Sequence, residues 1–103
     1  MIRVSVFYPY TPGAKFDVTY YLQTHIPLLH KRLGSAMKGV TVDQGISGGA
    51  PGAPMTYIAI INILFDSLES FQAAFAPHAE EILGDVPNFT AIAPIFQISE
   101  VKL

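Results

Sequence analysis

The chain has no cysteine and no tryptophan, and it carries little charge. Without cysteine there is no disulfide framework, no thiolate nucleophile and no cysteine-ligated metal or cluster. Only 14% of the 103 residues are charged, and the net charge is −2. The six basic residues (Arg3, Lys15, Lys31, Arg32, Lys38 and Lys102) are scattered, so the electrostatic footprint of a nucleic-acid binder is missing. Long hydrophobic runs are missing too. The longest, MTYIAIINILF, falls well short of the ~20 residues that span a bilayer. The first residues, MIRVSVFY, lack the apolar region and small-residue cleavage site of a signal peptide. A cytoplasmic protein with no nucleic-acid or membrane partner is the expectation.

Apolar residues are abundant, making up half of the sequence. That is enough for a packed core and too much for disorder. In so short a chain it also hints that a partner chain covers some apolar surface. The length fits one domain spanning residues 1–103.

Residues 2–8 alternate around β-branched side chains and run into PYTPG, the pattern of a strand and turn. Asp17 suits a helix N-cap, and a helical period continues to Leu33 with Gly34 as its stop. Residues 37–46 read as a weaker strand. SGGAPGAP reads as a flexible loop, and residues 55–65 as the strongest strand. Ser67 or Asp66 caps a second helix with the stripe Leu68, Phe71, Phe75, Ala79 and Ile82, interrupted by Pro77. GDVPNFT is a loop, and residues 91–101 a last strand.

The order β-α-β-β-α-β, with right-handed crossovers, predicts an α+β fold of ferredoxin-like type. Both helices then lie on one face of a four-stranded antiparallel sheet. Strand three is apolar on both sides, with Tyr57, Ala59, Ile61, Ile63 and Phe65 facing one way and Ile58, Ile60 and Leu64 the other. Strand four places Ile92, Phe96 and Ile98 opposite Ala93 and Ile95. A face that the helices leave bare should be polar if it meets water. The pattern therefore predicts a homodimer with the two sheets face to face.

The first helix carries one ionisable ring on its core stripe, Val18, Leu22, His25, Leu29 and Leu33, with Pro27 two residues further on. His25 has two readings. It can be a buried neutral imidazole held by core hydrogen bonds. It can instead be an acid/base or hydrogen-bonding group in a pocket, a task suited to a side chain whose ordinary pKa is ~6.5. Pro27 removes one helical hydrogen bond and is expected to bend the helix beside His25. Tyr8 ends strand one on the helix-facing side and could offer its hydroxyl to the same place; Tyr21 is a second candidate at the edge of the stripe. Tyr20 is expected to point away and His30 to be solvated. His78 falls at the edge of the second stripe, Asp85 could orient a histidine, and Asn88 could cap a turn. Asn62 and Gln97, polar within greasy strands, should line a pocket or pair across a dimer.

Other chemistries find no support in the sequence. GISGGAPG precedes neither a helix nor a Gly-Lys-Ser/Thr and is no phosphate cradle. No serine sits in a nucleophile elbow. A metal site would need His25 and His78 to converge with a carboxylate, without recognisable ligand spacing. No nicotinamide, flavin or haem-attachment motif is present, so no cofactor and no metal are expected.

The run FDVTYYLQTHIPLL combines a capping acid, an aromatic pair and a histidine followed by X-Pro-Leu. It resembles the signature of the EthD family, named for a small protein of ethyl tert-butyl ether degradation. DVPNFTAIAPIFQISEV, residues 85–101, is similar to the family's second recurring block, and Tyr8 closes strand one as expected. The resemblance implies membership of the wider group of dimeric α/β barrels, which includes cofactor-independent oxygenases, isomerases, cyclases and haem enzymes, and proteins without assigned activity. It favours the functional reading of His25. The expectation is a small cofactor-independent enzyme, or enzyme-like pocket, for an apolar oxygenated small molecule in catabolism or secondary metabolism. His25 and Tyr8 would be its catalytic groups, with Tyr21, His78, Asp85 and Asn88 around the substrate. The alternative is a non-catalytic dimeric accessory or small-molecule-binding protein.

Overall fold

Alternation of apolar and polar residues makes Ile2–Pro9 the first strand, β1, and in a computed structural model describing residues 1–103 this strand lies inside the sheet. The others are β2 (Gly39–Gln44), β3 (Tyr57–Phe65) and β4 (Ile95–Glu100), in the order β2-β3-β1-β4. Every neighbouring pair is antiparallel. This is the α+β, ferredoxin-like arrangement read from the pattern. Register fixes the two faces. Val4, Val6 and Tyr8 stand beside Ile63, Ile61 and Ala59 of β3, and all six are buried. Because side chains alternate along a strand, Arg3, Ser5 and Phe7 fall on the other face with Leu64, Asn62 and Ile60.

Two helical arms cover the first face. The first comprises α1 (Val18–Tyr20), a wide π turn (Tyr21–His25) and α2 (Ile26–Leu33). Asp17 caps it, its carboxylate accepting from the Tyr20 amide at 3.0 Å. Gly34 ends it at φ +56°, a left-handed conformation that suits glycine. The second arm comprises α3 (Leu68–Phe75), a 3-10 turn (Ala76–His78) and α4 (Ala79–Gly84). Ser67 caps it, accepting from the Ser70 amide at 3.0 Å. Arg32 and Glu81 tie the arms together through a two-pronged ion pair of 2.7 and 3.0 Å.

The structure corrects several expectations. The buried stripe of the first arm is Tyr21, His25, Leu29 and Leu33, whereas Leu22 is 49% exposed. A π turn holds more residues per turn than an α-helix, so positions four apart stay in line through it. Strand four begins only at Ile95. Before it, Thr90 Oγ1 accepts from the Ile92 amide at 3.1 Å and Pro94 has no amide to give a ladder. Ile92 is buried, but in the preceding loop. Strand two is also shorter than expected.

Asn62 pairs within the sheet: its side-chain oxygen accepts from Ser5 Oγ at 2.7 Å on the outer face. Gln97 donates to Ser99 Oγ at 3.1 Å. The glycine-rich loop is pinned by backbone bonds, Gly45 to Ile58 at 2.7 Å and Gly48 to Ala53 at 2.9 Å.

Candidate functional site

Pro27 lies just beyond the π turn, as the second residue of α2. Where an α-helix would bond each amide to the fourth residue back, the Ile26 amide reaches the fifth, Tyr21. The helix thus accommodates proline by widening the turn before it. That widening places Tyr21 and His25 one above the other, with ring centroids 5.0 Å apart.

The loop after the second arm supplies the other half of the site. Phe16 and Thr90 form a β-bridge, and the Asp17 amide donates to the Phe89 carbonyl at 2.9 Å. Thr90 Oγ1 donates to the Lys15 carbonyl at 2.6 Å. These bonds hold the 3-10 turn Val86–Asn88 and its flanks against the start of the first arm. Phe89, 3% exposed, packs its ring 4.9 Å from those of both His25 and Tyr21.

The same fastening brings Asp85 to His25. His25 Nδ1–H donates to Asp85 Oδ2 at 2.8 Å. Asp85 Oδ1 accepts from the Tyr20 hydroxyl at 2.7 Å and from Asn88 Nδ2 at 2.9 Å. Burial pushes the Asp85 carboxyl up, but the hydrogen bonds from Asn88, Tyr20 and His25 outweigh it and hold the group below its ordinary range. A carboxylate ionised at neutral pH can only accept, so Nδ1 carries the bonding proton, and whenever the ring is neutral Nε2 keeps its lone pair. Nε2 has no hydrogen-bond partner in the chain.

A cavity of about 280 Å³ lies between the arms and the sheet. Tyr8 and Val6 of β1, Tyr21 and His25 of the π turn, Leu29 of α2, and Phe71 and Phe75 of α3 are among its walls. Fifteen of its sixteen lining residues are hydrophobic, and His25 is the exception. Toward β4 the lining residues become exposed, Leu83 at 43%, Ile98 at 46% and Phe96 at 53%, which makes this side the mouth. Tyr8 and Tyr21, each 2% exposed, make no hydrogen bond with the chain. Burial raises both phenols above their ordinary value, and the neighbouring Tyr8 adds to the rise at Tyr21.

Three of the six candidate residues, His25, Tyr8 and Tyr21, therefore line one cavity. Asp85 does not; it stands behind His25 as the acceptor of its ring N–H. Asn88 is exposed and reaches only Asp85. His78 is half-buried in the 3-10 turn and is no part of the cavity wall. No three histidine or carboxylate side chains converge as a metal site would require. Tyr20 was expected to point away, yet it grips Asp85. Phe16 and Phe89, unmarked in the sequence, complete the aromatic shell. The sequence signal for Tyr20 is its place five residues before His25, with the same helix presenting both rings to one loop.

Fold and site together define a small ferredoxin-like domain with an apolar cavity that opens toward β4 and a buried histidine paired with a part-buried carboxylate. The EthD domain model matches residues 14–93, and the chain belongs to the EthD family. It is similar to an EthD-like protein of Ralstonia eutropha JMP134, with 50% identity over 99% of this chain and 92% of that one, at a TM-score of 0.94. An EthD family protein of Bacillus halodurans C-125 is 17% identical over 99% of both chains, with a TM-score of 0.69. A dimeric protein of unknown function and ferredoxin-like fold from Bacteroides fragilis is 12% identical, covering 97% of this chain and 95% of that one at a TM-score of 0.65. No curated protein matches the chain.

Proposed function

We propose that this protein binds a small apolar, oxygenated molecule in the cavity beside His25 and moves a proton on it without a cofactor. One observation carries this reading: a histidine locked by Asp85 at Nδ1, with its other nitrogen unpaired, at an otherwise apolar cavity. A purely structural histidine would be expected to satisfy both ring nitrogens within the core. The Tyr8 and Tyr21 hydroxyls point the same way: neither has a hydrogen-bond partner in the chain and neither is sealed off, so both are open to a molecule in the cavity. About 280 Å³ is near the small end of ligand pockets, room for one compact ring system. Isomerisation, dehydration, cyclisation or a cofactor-independent oxygenation of a catabolic or secondary metabolite suits such a site.

The working unit is a cytoplasmic homodimer joined through the outer sheet face. Phe7, Ile58, Ile60 and Leu64 are half-buried there and Ile95 is 52% exposed, a greasy surface for solvent to meet. The B. fragilis neighbour is described as dimeric, which favours a dimer here without indicating the face that forms it.

Thermal-shift and NMR titrations with compact cyclic ketones and phenols test the pocket. Wild type should be stabilised, and His25→Asn, checked for native circular dichroism, should lose that response. An equal response in the variant would contradict the assignment.

A further inference from the structure

The chemistry of the cavity wall narrows the ligand. No lysine, arginine, aspartate or glutamate reaches it, so a carboxylate or phosphate would be buried without a counter-charge. Asp85 adds negative charge directly behind His25. The site therefore selects against anions. Its polar groups differ in kind. His25 Nε2 can only accept while the ring is neutral, whereas the Tyr8 and Tyr21 phenols, kept protonated by burial, can donate. The three rings adjoin: Tyr21 is 5.0 Å from His25 and 6.4 Å from Tyr8 between centroids. A base beside hydroxyl donors in an apolar pocket matches one arrangement of ligand atoms, an acidic C–H next to a carbonyl oxygen.

Resting on the proposed pocket, we infer that its substrate is a neutral ring ketone and that the step it performs is enolisation. His25 Nε2 removes the proton on the carbon next to the carbonyl. The C–H electron pair becomes the new C=C bond, the carbonyl π pair moves to oxygen, and a tyrosine hydroxyl hydrogen-bonds to that oxygen. Asp85 accepts from the ring N–H throughout and faces the imidazolium that forms. Return of a proton from Nε2 to carbon restores the ketone, so no oxidant, reductant or co-reactant is consumed. Enolisation of this kind is the shared opening of ketone isomerisation, of loss of water from a β-hydroxyketone and of aldol cyclisation. It assigns the two tyrosines to oxygen binding and leaves Tyr20 and Asn88 as positioning residues that act through Asp85.

The test uses the intact protein and 1-tetralone, a neutral bicyclic ketone with acidic hydrogens on one carbon only. Exchange of those hydrogens for deuterium is followed by proton NMR in buffered D₂O. Wild type should accelerate it saturably, roughly 100-fold or more over buffer. His25→Asn should fall to the buffer rate, and Tyr8→Phe with Tyr21→Phe should lose most of the acceleration. His78→Asn should not change it. Tetralin-1-carboxylate, an anion of similar size, should bind at least about tenfold more weakly than the ketone, in line with its unpaired buried charge. If His25→Asn fails to fold, Asp85→Asn replaces it and should slow exchange with a changed pH profile. Binding of 1-tetralone without exchange would overturn the enolisation inference while the pocket reading stands. No binding of any neutral ring probe would overturn both. Equal binding of the carboxylate would overturn the charge selection.

Discussion

The two helical arms meet the same obstacle and answer it in opposite ways. Pro27 and Pro77 each sit inside an amphipathic stretch, and each is followed or preceded closely by a histidine. In the first arm the helix widens into a π turn before the proline; in the second it tightens into a 3-10 turn that contains it. The wide turn brings His25 onto the buried stripe at 4% exposure, in line with Tyr21 and Leu29. The tight turn leaves His78 half-buried and off the cavity wall. Two histidines of similar sequence context thus acquire different surroundings, and the pitch of one helical turn decides between them.

The largest expected effect comes from the shell that makes the first arm distinctive. Phe89 packs on His25, Tyr21 and Phe16, so Phe89→Ala should cost about 3–5 kcal/mol in urea unfolding. Phe75 lies at the cavity in the second arm and is only half-buried, so Phe75→Ala should cost clearly less. Equal losses would mean that the arms are packed alike.

The tyrosines give a pH signature next in size. Their folded pKa values lie above the ordinary 10.0, so the stability they contribute is complete below about pH 10 and declines as pH rises beyond it. Denaturant melts from pH 8 to 11.5 should show this alkaline loss, and the Tyr8→Phe, Tyr21→Phe double variant should flatten it. Asp85 has the opposite sign. Its folded pKa is depressed, so its contribution is present above the ordinary 3.8 and disappears as pH falls through the lower folded value. Asp85→Asn should blunt the acid limb of the same stability curve.

A smaller effect isolates the prolines. Replacing either by alanine frees the unfolded chain, worth about 0.4–1 kcal/mol. Pro27→Ala should also let the wide turn relax toward α-helix and disturb the chemical shifts of the His25 ring. Pro77→Ala should leave those shifts alone. If Pro27→Ala leaves them unchanged too, packing by Phe89 and Tyr21, and not proline, holds the π turn.

The chain order of strands and helices is readable because it rests on period-two alternation and on caps such as Asp17 and Ser67, which are local signals. The pairing of His25 with Asp85 was legible only as a suggestion, since the two are 60 residues apart and meet through the Thr90–Lys15 and Asp17–Phe89 bonds. Tyr20 was assigned the wrong side and Leu22 the buried one because a helical wheel assumes a constant 3.6 residues per turn, which a π turn breaks. The sequence pattern starts strand four at residue 91, whereas the strand begins at Ile95. Its composition is β-like throughout, but Thr90 captures the amide of Ile92 and Pro94 supplies none.

Tyr20→Phe should have the smallest effect, keeping the fold while removing one of the hydrogen bonds on Asp85. Its signature should be a shifted pH dependence of the His25 ring signals, with little change in melting temperature. No such shift would mean that Tyr20 does not act through Asp85.

The most direct test of the account is the tautomer of His25, read from long-range proton–nitrogen NMR of the imidazole at pH 8. Nδ1 should carry the proton and Nε2 none, and the Nε2 resonance should move when 1-tetralone is added. A ring protonated at Nε2, or an Nε2 signal indifferent to every neutral ring probe, would contradict it.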